Sequence, residues 1–289
     1  EGAPLDGLAP ERPPDTTAVA STRILVSMQN ESDRNPLSQE GRTVIVTGGT
    51  KGIGRDIATR FLEAGADVVV CARSAPLEAV TASGRTATFL TCDVRDPDQI
   101  VGVVDQTIRA HGSIDVLVNN AGGAPPADSA TASPRFNEKI VGLNLIAPIS
   151  FAQAVHDQMQ RQETGGVIIN IASVSGTRAN PLGVAYGAAK AGLLNATRTL
   201  AVEWAPKIRV VGVIAGMILT ADARAFYGDD DSVTKIASTI PLGRMGEPAD
   251  ISDACLFLAS PLASYVSGTA LEVHGGGERP NYLDAGDAI

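Results

Sequence analysis

The sequence predicts an α/β fold: a doubly wound, seven-stranded parallel sheet with helices on both faces, in a single domain. Three observations carry that expectation. From Thr43 onward, short β-branched runs alternate with longer amphipathic stretches. The runs are apolar almost throughout, as strands buried on both faces require, and the stretches between them supply the covering helices. The first run passes directly into "TGGTKGIG", Thr47–Gly54, which sets four glycines and a lysine where a strand gives way to a helix.

The elements follow in order. Thr43–Thr47 is the first strand and Gly52–Ala64 the first helix. Asp67–Ala72 and Ala87–Thr91 are the next two strands, followed by a helix at Pro97–His111. His111 ends that helix, where a cation favours the dipole. Ile114–Asn119 leads to one long helix, Ser133–Gln162, with His156 on its face. Gly166–Ala172 precedes the helix Ala185–Ala205, near whose end Trp204 suits a core or subunit interface. Ile208–Ile214 opens onto residues 216–240, a segment long enough to expect a functional role. Within it Asp229, Asp230 and Asp231 read as a solvated loop rather than a metal site. The helix Pro248–Ala259 and the strand Ala270–His274 complete the alternation. The domain is thus expected over 41–277. Residues 1–40, rich in Pro, Gly and Ala, form an extension with little structure of its own, and 278–289 a tail. Met28 offers an internal start.

The chain of 289 residues carries a formal charge of −9, which argues against a nucleic-acid surface and against a polybasic membrane patch. Three distant cysteines, Cys71, Cys92 and Cys255, show no metal-ligand spacing and read as small buried residues in a reducing cytosol. No apolar run approaches the ~18 residues that span a bilayer. The expectation is a cytoplasmic protein with no metal.

The glycine-rich turn has a physical reading. Gly48 allows the tight turn, Gly52 lets the backbone approach a pyrophosphate, and Gly54 lets the helix lie close to the sheet. The N–H groups and dipole at that helix N-terminus then meet phosphate oxygens. The alternative for such a stretch alone is an ordinary strand–helix turn.

The spacing T-G-x-x-x-G-I-G resembles the short-chain dehydrogenase/reductase (SDR) family, and the resemblance runs from about Gly41 to Gly277. "CDV" at Cys92–Val94, "NNAG" at Asn119–Gly122, "VGLN" ending at Asn144, "IASVSG" at Ile171–Gly176 and "YGAAK" at Tyr186–Lys190 follow in family order, as do "PLGRMGEPADI" and "SGTALEVHGG". The resemblance implies a Rossmann-type sheet, a nicotinamide cofactor and a homotetramer built on the helices 133–162 and 185–205 and the last strand. It places Thr50, Lys51, Ile53, Gly216 and Ile218 among the cofactor-binding residues. Asp93 and Val94 would border the adenine, and Asn120, Ala121 and Gly122 the ribose side.

NAD enzymes usually end the second strand with an acidic residue for the ribose 2′-OH. Here Arg73 stands at that end, Asp67 is at the strand's far end, and Lys51, inside the glycine turn, would face the same ribose. Two cations without a carboxylate suit a 2′-phosphate, so NADP(H) is expected over NAD(H).

Tyr186 and Lys190 are four apart on a helix and therefore share a face. A free phenol near pKa 10 is too weak a base at neutral pH, and a nearby ammonium is expected to lower it. Tyr186 would exchange the proton that accompanies hydride transfer. Ser173, thirteen residues earlier, would hydrogen-bond the substrate oxygen. By the resemblance, Lys190 also binds the nicotinamide ribose and Asn144 holds a water linked to it.

Two departures stand out: Val211 where the family has Asn, and Ala215 where it has Pro, which frees one φ angle near the nicotinamide. Met217, Phe226 and Tyr227 offer apolar and aromatic surface and point to a moderately hydrophobic small carbonyl or alcohol as substrate. A 3-oxoacyl-carrier-protein reductase is the nearest alternative, though Val202 replaces the usual Arg before Glu203 and the molecule is acidic; Arg135 and Arg161 leave a local basic patch. A non-catalytic NADP-binding redox sensor is the alternative from another class.

Overall fold

The computed structural model describes residues 35–221 and 227–278. The strands are β1 Thr43–Thr47, β2 Asp67–Ala72, β3 Thr81–Ala82, β4 Arg85–Thr86, β5 Thr88–Thr91, β6 Val116–Asn119, β7 Gly166–Ser173, β8 Ile208–Ala215 and β9 Ala270–Val273. The helices are α1 Gly52–Glu63, α2 Pro97–His111, α3 Pro134–Val141, α4 Ala147–Arg161, α5 Val184–Glu203, α6 Asp230–Ser238 and α7 Pro248–Ala259.

Seven strands form one sheet in the order β5-β2-β1-β6-β7-β8-β9. Every neighbouring pair is parallel. Successive residues of β1 face opposite sides: Val44 and Val46 join one apolar layer with Phe61, Leu62 and Ile251, while Ile45 joins the other with Ile100, Phe151 and Met159. Both layers are dry, which is why the strands need apolar residues at every position. The strand order reverses between β1 and β6, and a parallel sheet leaves a crevice outside the carboxyl ends of its strands at such a point.

The body begins at Leu37, a few residues before the expected boundary at 41. Gln39 is buried and its N–H donates to the Ala64 carbonyl at 2.8 Å, which ties this segment to the end of α1. Residues 1–34 of the expected extension, the tail beyond Glu278, and Phe226 lie outside the described residues.

Three differences from the expected elements have physical causes. The single helix 133–162 is divided by a π turn at Gly142–Ile146. Pro148, just beyond it, has no N–H with which to close an α-turn on the Asn144 carbonyl, and the Ala147 N–H reaches back to Gly142 instead. Asp229–Asp231 is the start of a helix and not a loop: Asp229 accepts from the Ser232 N–H, and Asp230 and Asp231 occupy the first turn of α6, where the dipole favours them. β8 runs through Ala215, which pairs with Ser173 on one side and Val273 on the other, so the residue replacing the family's proline continues the sheet.

Candidate active site

A cavity of about 880 Å³ opens at the carboxyl ends of the strands. Its wall includes Gly48, Thr50, Lys51, Gly52, Ile53 and Gly54 from the first turn, Arg73 after β2, and Asp93 and Val94 after β5. Asn120, Ala121 and Gly122 follow β6, Ser173 ends β7, Tyr186 and Lys190 come from α5, and Gly216 and Ile218 follow β8. Asn144 is the one expected site residue that does not line it; its side chain is fully buried behind the wall.

The first turn is held by β6. The Thr47 hydroxyl accepts from the N–H groups of Asn120 and Ala121 at 2.9 and 3.0 Å, and the Asn120 amide donates back to the Thr47 carbonyl at 2.9 Å. A Cβ at Gly54 would come within 2.3 Å of the Gly48 carbonyl oxygen, so only glycine lets α1 approach this closely. At Gly52 the constraint is conformational, with φ at +52°. No side chain caps α1 and no acidic residue stands in its first turn, whereas the Asp96 side chain caps α2. The start of α1 therefore offers N–H groups and positive dipole to the cavity, and it fits the phosphates of a dinucleotide.

At the other end of the cavity, α5 is fixed against the sheet by a buried polar chain. Asn119 donates to Asn170 at 2.9 Å, and Asn170 to the Thr197 hydroxyl at 2.9 Å. This links β6, β7 and α5 and sets Tyr186 and Lys190 beside the end of β7. Tyr186 hydrogen-bonds with Ser173. The Lys190 ammonium lies 5.7 Å from the centre of the Tyr186 ring and donates to the Ile171 carbonyl at 2.7 Å. Asn144 grips the backbone of Gly123 in both directions, accepting from its N–H at 2.8 Å and donating to its carbonyl at 3.0 Å. A Cβ on Gly122 would meet the Asn144 carboxamide oxygen at 2.8 Å and the Lys190 nitrogen at 3.3 Å, so that glycine lies against both.

The electrostatics correct one expectation. Burial pushes the Tyr186 phenol above its ordinary value; the bond with Ser173 opposes the shift only in part, and Tyr227 adds to it. Lys190, just 3% exposed, is itself lowered to about 8 by burial. Spacing shows that the two share a helix face, but not that both are dry, and desolvation disfavours the charged form of each.

Arg73 stands at the mouth beyond β2. Asp67, at the opposite end of that strand, pairs with Arg85 at 3.3 Å and plays no part in the cavity. The only carboxylate on the cavity wall among the described residues, Asp93, is held by Arg95 at 2.5 and 2.9 Å; that bonding, with the nearby charge of Arg73, brings its pKa down to about 2.

Sequence reasoning missed how the far wall is built. Leu219 donates to the Gly246 carbonyl at 2.8 Å and Gly246 to the Met217 carbonyl at 2.9 Å, so the segment carrying Ile218 is stitched to "RMGEP". Arg244 grips Asp250 with two bonds of 2.7 Å, and Asp250 also accepts from the Glu247 N–H. Arg178 and the buried thiols of Cys71 and Cys92 line the cavity as well. Ion pairs six residues apart across a loop have no periodic signal, so only the family-like run of residues marked this stretch.

A family model described as enoyl-(acyl carrier protein) reductase matches residues 48–278. The chain is 34% identical over 247 residues to an uncharacterized oxidoreductase of Mycobacterium tuberculosis, covering 84% of this chain and 94% of that one. It is 34% identical over 243 residues to the 2-dehydro-3-deoxy-D-gluconate 5-dehydrogenase of Escherichia coli, covering 83% and 96%. A solved structure of 7α-hydroxysteroid dehydrogenase, complexed with NADH and 7-oxo glycochenodeoxycholic acid, is 33% identical with a TM-score of 0.77, covering 85% of this chain and 97% of that one.

Proposed function

The chain belongs to the short-chain dehydrogenase/reductase family of oxidoreductases, and on that premise we propose that it interconverts a ketone and a secondary alcohol with NADP(H). The observation that carries the reading is the meeting, in one cavity, of the uncapped N-terminus of α1 with Ser173, Tyr186 and Lys190.

The bound nicotinamide would supply or accept the hydride. The protein supplies the rest. Ser173 and Tyr186 would together hydrogen-bond the substrate oxygen, and in reduction the Tyr186 O–H gives that oxygen its proton. A phenol raised by burial is protonated at neutral pH and so has that proton to give. Lys190 would hold the nicotinamide ribose, and Asn144 would fix the Gly122–Gly123 backbone beside it.

Arg73 and Lys51 on the wall, with no carboxylate at the end of β2, support NADP(H). Asp93 does not weaken this, since Arg95 already engages it. The fork of Arg73 suits the three oxygens of a 2′-phosphate. A screen of ketones and alcohols in both directions with both cofactors tests the reading. NADPH-dependent reduction is expected, and Arg73→Ala should cut the NADPH-over-NADH preference about tenfold or more. An unchanged preference refutes the cofactor assignment. Tight NADPH binding with no turnover of any substrate would favour a redox sensor.

We also place the protein in the cytosol as a homotetramer. Val202 on α5 is 80% exposed and Ile146 beside α4 is 52% exposed, while β9 is an edge strand. Apolar side chains on those helices and an unpaired sheet edge support self-association through them. Light scattering should give four times the chain mass; a monomer would contradict it.

A further inference from the structure

Among the described residues, five cations line the cavity (Lys51, Arg73, Arg95, Arg178 and Lys190) against one carboxylate, Asp93, in a chain whose net charge is −9. Four of them have a use in the reading above: two toward the 2′-phosphate, one beside Tyr186, one holding Asp93. Arg178 has none.

Arg178 follows β7 by five residues, on the turn between Ser173 and α5. It stands where the main cavity meets a second one of about 120 Å³, whose wall also carries Glu272, His274 and Glu278. Its guanidinium donates to the Ala179 carbonyl at 3.0 Å and to the Glu278 carboxylate. The Arg178–Glu278 pair is open to solvent, with side chains 41% and 36% exposed, and pairs this exposed contribute little to stability. Another carboxylate can therefore replace that of Glu278 without leaving a buried charge unpaired. The planar fork of an arginine suits such an exchange.

We propose that Arg178 receives a carboxylate on the substrate and that Glu278 occupies its place in the free protein. The substrates are then oxo acids and the corresponding hydroxy acids, with the carbonyl at Ser173 and Tyr186 and the carboxylate at the mouth. This rests on the oxidoreductase reading of the same cavity.

The test uses the full chain with NADPH and a series of oxo carboxylates of increasing length, each paired with its neutral methyl ester. At the length that fits, the acid should exceed its ester in kcat/KM, and Arg178→Gln should raise the acid's KM about tenfold with a much smaller effect on the ester. Arg178→Lys should restore part of the loss, and Glu278→Gln should lower the acid's KM. Equal use of acid and ester by the wild type overturns the proposal. So does an equal loss for both in Arg178→Gln, which would mark the pair as a structural clasp; in either case ester turnover leaves the oxidoreductase reading standing. If neither compound turns over, that reading fails, and quenching of bound-NADPH fluorescence by the acid still decides Arg178. Saturable binding that Arg178→Gln abolishes supports the site, and its absence overturns it.

Discussion

Lys190 stands beside Tyr186 in the cavity, and its charge is held at a cost. Burial lowers its pKa from 10.5 to about 8, so the folded protein binds this proton less tightly than the unfolded chain does. Unfolding therefore takes up a proton between those two values, and the contribution of Lys190 to stability rises with pH across that window. Below pH 8 the group is charged in both states, and it carries a constant penalty. Relative to Lys190→Met, the wild type should gain stability from pH 8 to 10.5 by up to about 3 kcal/mol, read from denaturant midpoints. A flat difference would show that the amine is solvated. Much at this scale was legible beforehand: the four-residue spacing of Tyr186 and Lys190, and Ser173 at the end of a β-branched run, are patterns of identity and interval. The raised phenol was not, because burial depends on what the rest of the chain folds around it. Arg178 escaped for a similar reason, since a lone arginine on a turn acquires meaning only from the wall it joins.

Elements were legible wherever their pattern repeats. β1 and α1 reveal themselves by an apolar run and a glycine turn, and α2 ends as expected at His111, with Gly112 in the left-handed conformation behind it. The π turn at Gly142–Ile146 was not visible, because a shift of one hydrogen-bond partner leaves no periodic trace over so few residues. β3 and β4 are two residues each, too short for alternation to register. α6 went unread because its acidic start resembles a loop until Asp229 is seen to cap it. The most consequential of the missed features is the Arg244–Asp250 pair, since it braces the segment from Met217 to Leu219 against the start of α7. Arg244→Ala should loosen that wall. Cofactor KM should rise about fivefold, while kcat changes less. Steady-state kinetics with varied NADPH would show it, and an equal fall in kcat would mean that the segment touches the reacting atoms.

At the scale of the whole molecule, an acidic protein surrounds a cationic cavity. Association with an anionic cofactor then depends on a local field that opposes the global one, and it weakens as salt screens the cavity. The doubly wound sheet makes this arrangement possible by bringing residues from Gly48 to Ile218 to one edge. Ser173 and Tyr186 share that edge with the glycine-rich turn, so in the proposed reading binding and proton transfer are separable functions of one cavity. Removing a single hydroxyl tests this most directly. Tyr186→Phe should retain NADPH binding at close to wild-type affinity by fluorescence titration while turnover falls roughly 10²–10⁴-fold. Turnover near the wild-type rate in that variant would contradict the account.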